Sequence, residues 1–380
     1  MRRIALCSII PPHILRSIAE HGDAQQRDDA QRALELTEQN RGARTLLAEF
    51  VRAVTLPAGE KRRTIFDAHN TRELPGKRVR GEGDPAVRDA AVNEAFDGAG
   101  KTYDFYKKVF SRNSVDDRGL RLDGSVHYGV RYTNALWNGR QMIYGDGDGR
   151  LFNRFTLALD VIGHELTHGV TQYTAALEYE AQPGALNESF SDVFGVMTKQ
   201  YALKQPASKA DWLIGEGLFT KNVHGAAIRS MKAPGTAYDD PVIGKDPQPA
   251  NMKDYVKTDA DNGGVHVNSG IPNRAFYETA TILGGKSWEV AGKIWYRALT
   301  EELRSKADFQ QCADATWRAA GKLYGGGSGP QHAVVAAWKV VGIDVSKAIL
   351  SAGPRIPVKD RYRVPAGGAE LPESLPFVRI

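Results

Sequence analysis

Cysteine is nearly missing from this chain: Cys7 and Cys312 are the two in 380 residues, and they lie far apart. A disulfide framework is excluded, and not even a single bridge is favoured. Long apolar runs are missing as well. No stretch approaches the about 20 apolar residues that a membrane-spanning helix needs, so no membrane partner is expected. The apolar run Ile4 to Ile10 follows Met1-Arg2-Arg3 but stops at Pro11-Pro12, with His13 and Arg16 beyond and no small-residue cleavage site. That makes a poor Sec-type signal. The chain is expected to be cytoplasmic, or secreted by a non-Sec route. An excess of one charge is also missing: 50 Lys and Arg face 45 Asp and Glu. The densest basic stretch, Lys61-Arg62-Arg63 through Lys77-Arg78-Val79-Arg80, has little aromatic interleaving and no nucleic-acid motif beside it. A solvated basic face is expected there, and no nucleic-acid partner. No internal repeat is present.

What is present is the composition of an ordinary globular protein, with 42% hydrophobic and 25% charged residues. The length suffices for two domains with real cores. Residues 1 to about 55 read as a separate segment, with a helical pattern over 14–38 and a linker or processing site within 40–60. From Thr64 to Gly149 short β-prone runs alternate with turns: 63–67, 125–132 and 141–144. Asn138-Gly139 is a hairpin signal, and 86–111 reads as helix. Helices dominate after Leu151, with candidates at 151–173, 187–204, 271–284, 287–303, 307–323 and 330–341. Five prolines follow Gly342-Ile343 in an irregular tail.

The chemistry concentrates at His164-Glu165-Leu166-Thr167-His168. Two histidines four apart share one helix face, so both imidazoles can reach one zinc ion at about 2.0–2.1 Å. Glu165 is placed to accept a proton from a metal-bound water. Glu188 can be the third ligand, leaving a fourth position open, as catalytic zinc requires. The bland alternative is an exposed pair of helix histidines. Three features weigh against it. Asp192, four residues after Glu188, is a candidate to orient a ligand histidine through its free N–H. The segment Asp261-Asn262-Gly263-Gly264-Val265-His266 reads as a loop that fixes His266, with Asp261 near enough to orient it. Such a histidine can donate to an oxyanion. Finally, 132–139 reads as an edge strand able to pair with an extended peptide.

These residues resemble a known family. The strings H-E-L-T-H-G-V-T-Q-Y, G-A-L-N-E-S-F-S-D-V-F-G, N-A-L-W-N-G, R-S-M and D-N-G-G-V-H-V-N-S-G-I stand in order over about 64–343. They are similar to the thermolysin-like metallopeptidases (M4 family, gluzincins). P-P-H-I-L at 11–15 resembles the start of the short propeptide of the protealysin-like branch. The resemblance implies an α+β fold of two lobes, strand-rich then helical, with the active-site helix between them. Residues 1–55 would be a short propeptide-like segment, 56–173 the N-terminal lobe, 174–343 the helical lobe and 344–380 a Pro-rich tail. It implies a zinc-dependent metalloendopeptidase, made as a zymogen, cutting on the amino side of bulky apolar residues. The alternatives are a zinc aminopeptidase and a non-catalytic binding protein on the same fold. A monomer is expected, with peptide or protein substrates, its own propeptide and a protein inhibitor as partners.

Residue by residue, the resemblance implies that His164, His168 and Glu188 bind zinc and that Glu165 is the general base. His266 and Tyr179 would stabilise the oxyanion, with Asp261 orienting His266. Asp192 and Asn187 would support the ligands. Asn134 and the Ala135 carbonyl would align the substrate backbone, Arg229 would brace the primed side, and Phe152, Phe155, Val161 and Ile228 would line an apolar S1′ pocket. Two departures carry expectations of their own. Asp160, Asp211 and Glu216 match the family's double calcium site, but Lys199 and Leu213 stand where acidic ligands would be. Calcium takes about six to eight oxygen donors, so a double calcium site is not expected, and Lys199 should supply part of the missing charge. Cys7 reads first as a small buried hydrophobe. The alternative is a latency ligand at the open zinc position.

Overall fold

The computed structural model describes residues 8–51 and 60–346. Cys7, residues 52–59 and nearly all of the tail lie outside the described residues. The N-terminal segment holds two helices where the sequence pattern suggests one: α1 (Pro12–His21) and α2 (Ala24–Val51). The break is at Gly22-Asp23, where the Asp23 carboxylate accepts the amides of Gln25 and Gln26 and restarts the helix. α2 runs to Val51 through the first part of the expected linker, and the rest of it, 52–59, lies outside the described residues.

A five-stranded sheet follows. Its strands are β1 (Arg63–Asp67), β2 (Lys77–Gly81), β3 (Leu122–Val126), β4 (Ala135–Trp137) and β5 (Met142–Tyr144), in the order β2-β1-β3-β5-β4. β4 and β5 are the hairpin that Asn138-Gly139 announces, and β4 is the sheet edge. The expected strand over 125–132 ends early, at Val126. His127 turns into the left-handed region (φ 53°) and is clasped between Asp89, at 2.8 Å, and Asp146, at 2.9 Å. The Asp146 hydrogen bond, joined by Asp89, pushes its imidazole up to about 9. The basic face of β1 and β2 is neutralised locally: Arg63 pairs with Glu82 and Arg78 with Asp84, each at 2.5 Å.

Helix α3 (Ala90–Phe110) is capped by Asp89 and packs on the sheet and on α4 (Leu159–Gln172). α5 (Ala181–Leu203) packs along α4. Glycine makes that approach possible. A Cβ on Gly195 would fall 2.4 Å from the Asp160 carbonyl oxygen and 3.0 Å from the His164 nitrogen. The chain then makes two short hairpins, β6 (Leu213–Ile214) with β7 (Arg229–Ser230) and β8 (Asp239–Asp240) with β9 (Gly244–Lys245). Helices α6 (Asp261–Asn268), α7 (Gly270–Leu283), α8 (Ala291–Arg297), α9 (Phe309–Tyr324) and α10 (Gly329–Val340) complete the helical half. The result is the expected mixed α+β fold. Cys312 is buried in α9, a core residue.

Candidate metal centre and cleft

Close packing of α4 on α5 brings two i, i+4 pairs face to face. His164 and His168 project from α4, and Glu188 and Asp192 from α5; none is more than 1% exposed. The two Nε2 atoms converge to 2.9 Å, while each Nδ1 is engaged elsewhere: His164 with Asp192 (2.8 Å), His168 with Asn187 (2.9 Å) and Ser191 (3.0 Å). Nδ1–H donation to Asp192 and Asn187 leaves each Nε2 with a lone pair aimed at the same point. Glu188 Oε2 faces that point too, buried and without a hydrogen bond, 3.5 Å from His164 Nε2. One ligand atom from each of the three residues lies within 4.8 Å of the others. Two imidazole lone pairs and a carboxylate oxygen with no other donor fit a tetrahedral zinc site with one position left over. The orienting bonds to Asp192 and Asn187 fit the usual outer shell of such a site.

Glu165 is fully buried beside this cluster and is not one of the converging ligands. Its Oε2 accepts the backbone N–H of Trp137, on edge strand β4, at 2.9 Å. On the far wall, Tyr179 Oη donates to Glu188 and lies 3.1 Å from His266 Nε2. Asp261 accepts both the His266 amide (2.9 Å) and Nδ1 (2.6 Å). Burial works against the charged imidazole, but Asp261 and Glu188 outweigh it and hold the His266 pKa above its usual value. The segment expected as a loop is half right. Asp261 to Gly264 all have positive φ, but the chain then turns helical, and His266 sits on that turn. Asn262, Gly263 and Gly264 in succession at φ 50°, 81° and 76° explain the two glycines.

Arg229 and Asp192 form a two-pronged ion pair (2.9 and 2.8 Å) with both side chains buried. Burial penalises both charges, but each stabilises the other: the Asp192 carboxyl is held well below the usual range and the guanidinium above it. Phe152, Phe155, Val161 and Ile228 are all buried, with Phe152 stacked on Phe155. Asn134 and Ala135 face the N-terminal segment, which runs antiparallel alongside β4. Ser8 pairs antiparallel with Leu136, the Ile9 amide donates to the Ala135 carbonyl (3.1 Å), and the Ile10 amide donates to Asn134 Oδ1 (3.0 Å). Beyond it, His13 bonds Tyr238 (2.9 Å), Asp29 pairs with Arg131 (2.9 Å) and Asp23 with Arg150 (2.6 Å). The sequence reading missed Asn273, whose amide donates to Asp192 (2.8 Å), and Gln248, which donates to the His266 carbonyl (2.7 Å). Neither has a local signal. Ser191 had one, lying three residues after Glu188 on the same helix.

Lys199 occupies the acidic cluster where calcium ligands were in question. Its ammonium is 2.9 Å from Asp211, 3.3 Å from Glu216 and 3.5 Å from Asp160, which is 1% exposed. Burial disfavours the ammonium, but Asp160 and Asp211 hold its pKa well above the ordinary value. Lys199→Met should therefore destabilise the protein by about 1.5–3 kcal/mol, the range for hydrogen bonds to charged groups. A calcium-selective chelator should leave the Tm of the zinc-loaded protein unchanged. Denaturant titration and thermal melting check the two; a sharp fall in Tm on chelation would contradict the assignment.

Comparison with known proteins places these features in context. Residues 23–172 match the family model for the thermolysin metallopeptidase catalytic domain, and 175–343 the model for its alpha-helical domain. An extracellular metalloprotease of Pectobacterium carotovorum subsp. carotovorum is 50% identical over 92% of this chain and 100% of its own length. Protease PrtS of Photorhabdus sp. (strain Az29) is 46% identical over 89% and 92%. The solved precursor of protealysin, a metalloproteinase from Serratia proteamaculans, superposes with a TM-score of 0.81 at 54% identity, covering 89% of this chain and 99% of that one. With two family models spanning the sheet, the α4–α5 metal centre and the helical half, the chain belongs to the thermolysin-like family of zinc metallopeptidases.

Proposed function

We propose that this enzyme is an endopeptidase that cuts on the amino side of bulky apolar residues and is made as a zymogen, with residues 1–55 as its propeptide. The observation that carries this reading is the segment Ser8–Ile10 running alongside β4, with Ser8 bridged antiparallel to Leu136 and the Ile9 amide on the Ala135 carbonyl. A cleft that holds a chain segment with residues continuing on both sides suits an internal bond. An aminopeptidase would instead need a group gripping a free α-amine. Bound zinc supplies a water of lowered pKa and polarises the scissile carbonyl.

The chain's own residues do the rest. Glu165, fixed by the Trp137 amide, takes a proton from the attacking water and passes it to the leaving amine. His266, braced by Asp261, and Tyr179 donate to the developing oxyanion. Ala135 and Asn134 pair with the substrate backbone, and Arg229 holds a carbonyl on the primed side. The walls Phe152, Phe155, Val161 and Ile228 carry no charge, so a charged side chain there would be desolvated without a partner. The lobes 56–173 and 174–343 would flank this cleft in a monomer, and a protein inhibitor would have to compete for the same edge strand. The Pectobacterium relative is named extracellular, and an extracellular destination is our reading for this chain.

The test is an internally quenched peptide with one Ala-Phe bond. Zinc-loaded protein freed of residues 1–55 should cut before Phe, lose activity to a zinc chelator and regain it with zinc. Stepwise trimming from the amino end would replace this reading with the exopeptidase, and a zinc-loaded, open-cleft protein that cuts nothing would favour a binding role.

A further inference from the structure

We infer that the Ser8–Ile9 peptide bond is itself a cleavage site, presented by the chain to its own catalytic groups. The inference rests on the endopeptidase reading above and adds a substrate to it. Three consecutive carbonyls of the N-terminal segment meet three different donors. His266 Nε2 donates to the Ser8 carbonyl at 3.1 Å. Arg229 Nη1 donates to the Ile9 carbonyl at 3.1 Å. Asn134 Nδ2 donates to the Ile10 carbonyl at 3.4 Å. A carbonyl under attack must be the one whose oxygen meets the oxyanion donors. Tyr179 Oη, whose hydrogen goes to Glu188 here, is 3.1 Å from that same Nε2. The bond in the reacting position is therefore the one after the Ser8 carbonyl.

A second observation is independent of these hydrogen bonds. The residue on the leaving side is Ile9, bulky, apolar and fully buried. It is the residue type that the uncharged pocket walls select, although the walls come from the body of the protein and Ile9 from the N-terminal segment. The antiparallel pairing of Ser8 with Leu136 and of the Ile9 amide with the Ala135 carbonyl is the pairing expected of a substrate strand.

The remaining segment is anchored downstream. Pro11 and Pro12 start α1, and the ion pairs of Asp23 and Asp29 hold the segment onto the body. Hydrolysis would place the water's oxygen on the Ser8 carbonyl carbon and break its bond to the Ile9 nitrogen. Ser8 becomes a free carboxylate, and Ile9 leaves as an amine with the proton carried by Glu165. The octapeptide 1–8, with Cys7, departs. The leaving-side product stays docked through its own helices. The cut thus trims the chain without freeing the cleft.

Intact-mass measurement on the full chain after zinc loading tests this. Wild type should lose residues 1–8 at a rate independent of protein concentration, while Glu165→Gln keeps them. Ile9→Asp should also keep residues 1–8, and it should hydrolyse the quenched peptide faster than wild type because a charged residue cannot sit in the apolar pocket. In metal-free Glu165→Gln, the Ile9 and Ile10 amides should exchange about tenfold or more slowly than in the unfolded chain. Exchange at the unfolded rate would overturn the register. If wild type retains residues 1–8 while Ile9→Asp cuts the peptide, this inference falls and the endopeptidase reading stands. If no variant cuts anything, both fall.

Discussion

Glu165→Gln should lower kcat/KM on the quenched peptide by about 10²–10⁴-fold, the usual worth of a positioned general base, and leave bound zinc at one per chain. The substitution keeps the shape of the side chain and an acceptor oxygen for the Trp137 amide, which now bonds Oε2 at 2.9 Å. It removes only the basic site. Glu165 is fully buried between α4 and the edge strand, so the isosteric amide creates neither a cavity nor a new surface. Its carboxylate is not in the cluster of converging ligand atoms, which is why zinc content should hold. Metal analysis and steady-state kinetics on the same sample separate the two effects. Loss of zinc together with activity would make Glu165 a ligand support. Retained activity would move the base elsewhere.

The metal centre was legible because its geometry is local. His164 with His168, and Glu188 with Asp192, each need only the repeat of one helix, and the hairpin at Asn138-Gly139 needs only its turn chemistry. That the two helices meet at the right depth is already less visible: it depends on Gly195, whose neighbours lie on another helix. The polar supports beyond the ligands were not legible. Asn273 reaches Asp192 from 81 residues away and His127 finds Asp89 from 38; neither contact has a period or motif that announces it. The helical pattern over 14–38 concealed the break at Gly22-Asp23, because the residues on either side are good helix formers and one cap decides the matter. Glycines in a row suggest a loop for His266. The structure confines their left-handed backbone to four residues and carries the histidine on the helical turn that follows.

Asp192→Ala should be among the most damaging single substitutions in the chain, costing about 3–5 kcal/mol, the range for stranding one partner of a buried ion pair. That is a large part of the about 5–15 kcal/mol that holds a typical protein folded. The reason lies in what Asp192 holds. It is fully buried and accepts from Arg229 Nε and Nη2, His164 Nδ1 and Asn273 Nδ2. Without it the Arg229 guanidinium, 2% exposed, keeps its charge and loses the partner that offsets desolvation. His164 loses the acceptor that fixes its ring, so zinc affinity should fall by about 10–100-fold as well. The two losses separate in a double variant. Asp192→Leu with Arg229→Met removes both charges, and a buried pair replaced by apolar groups of similar size is often neutral in stability. Denaturant titration of the double variant should recover most of the lost stability. Zinc titration should recover nothing, because His164 still lacks its carboxylate. Recovery of both would reduce Asp192 to a packing residue. Recovery of neither would mean that Asn273 and His164, rather than Arg229, account for the cost.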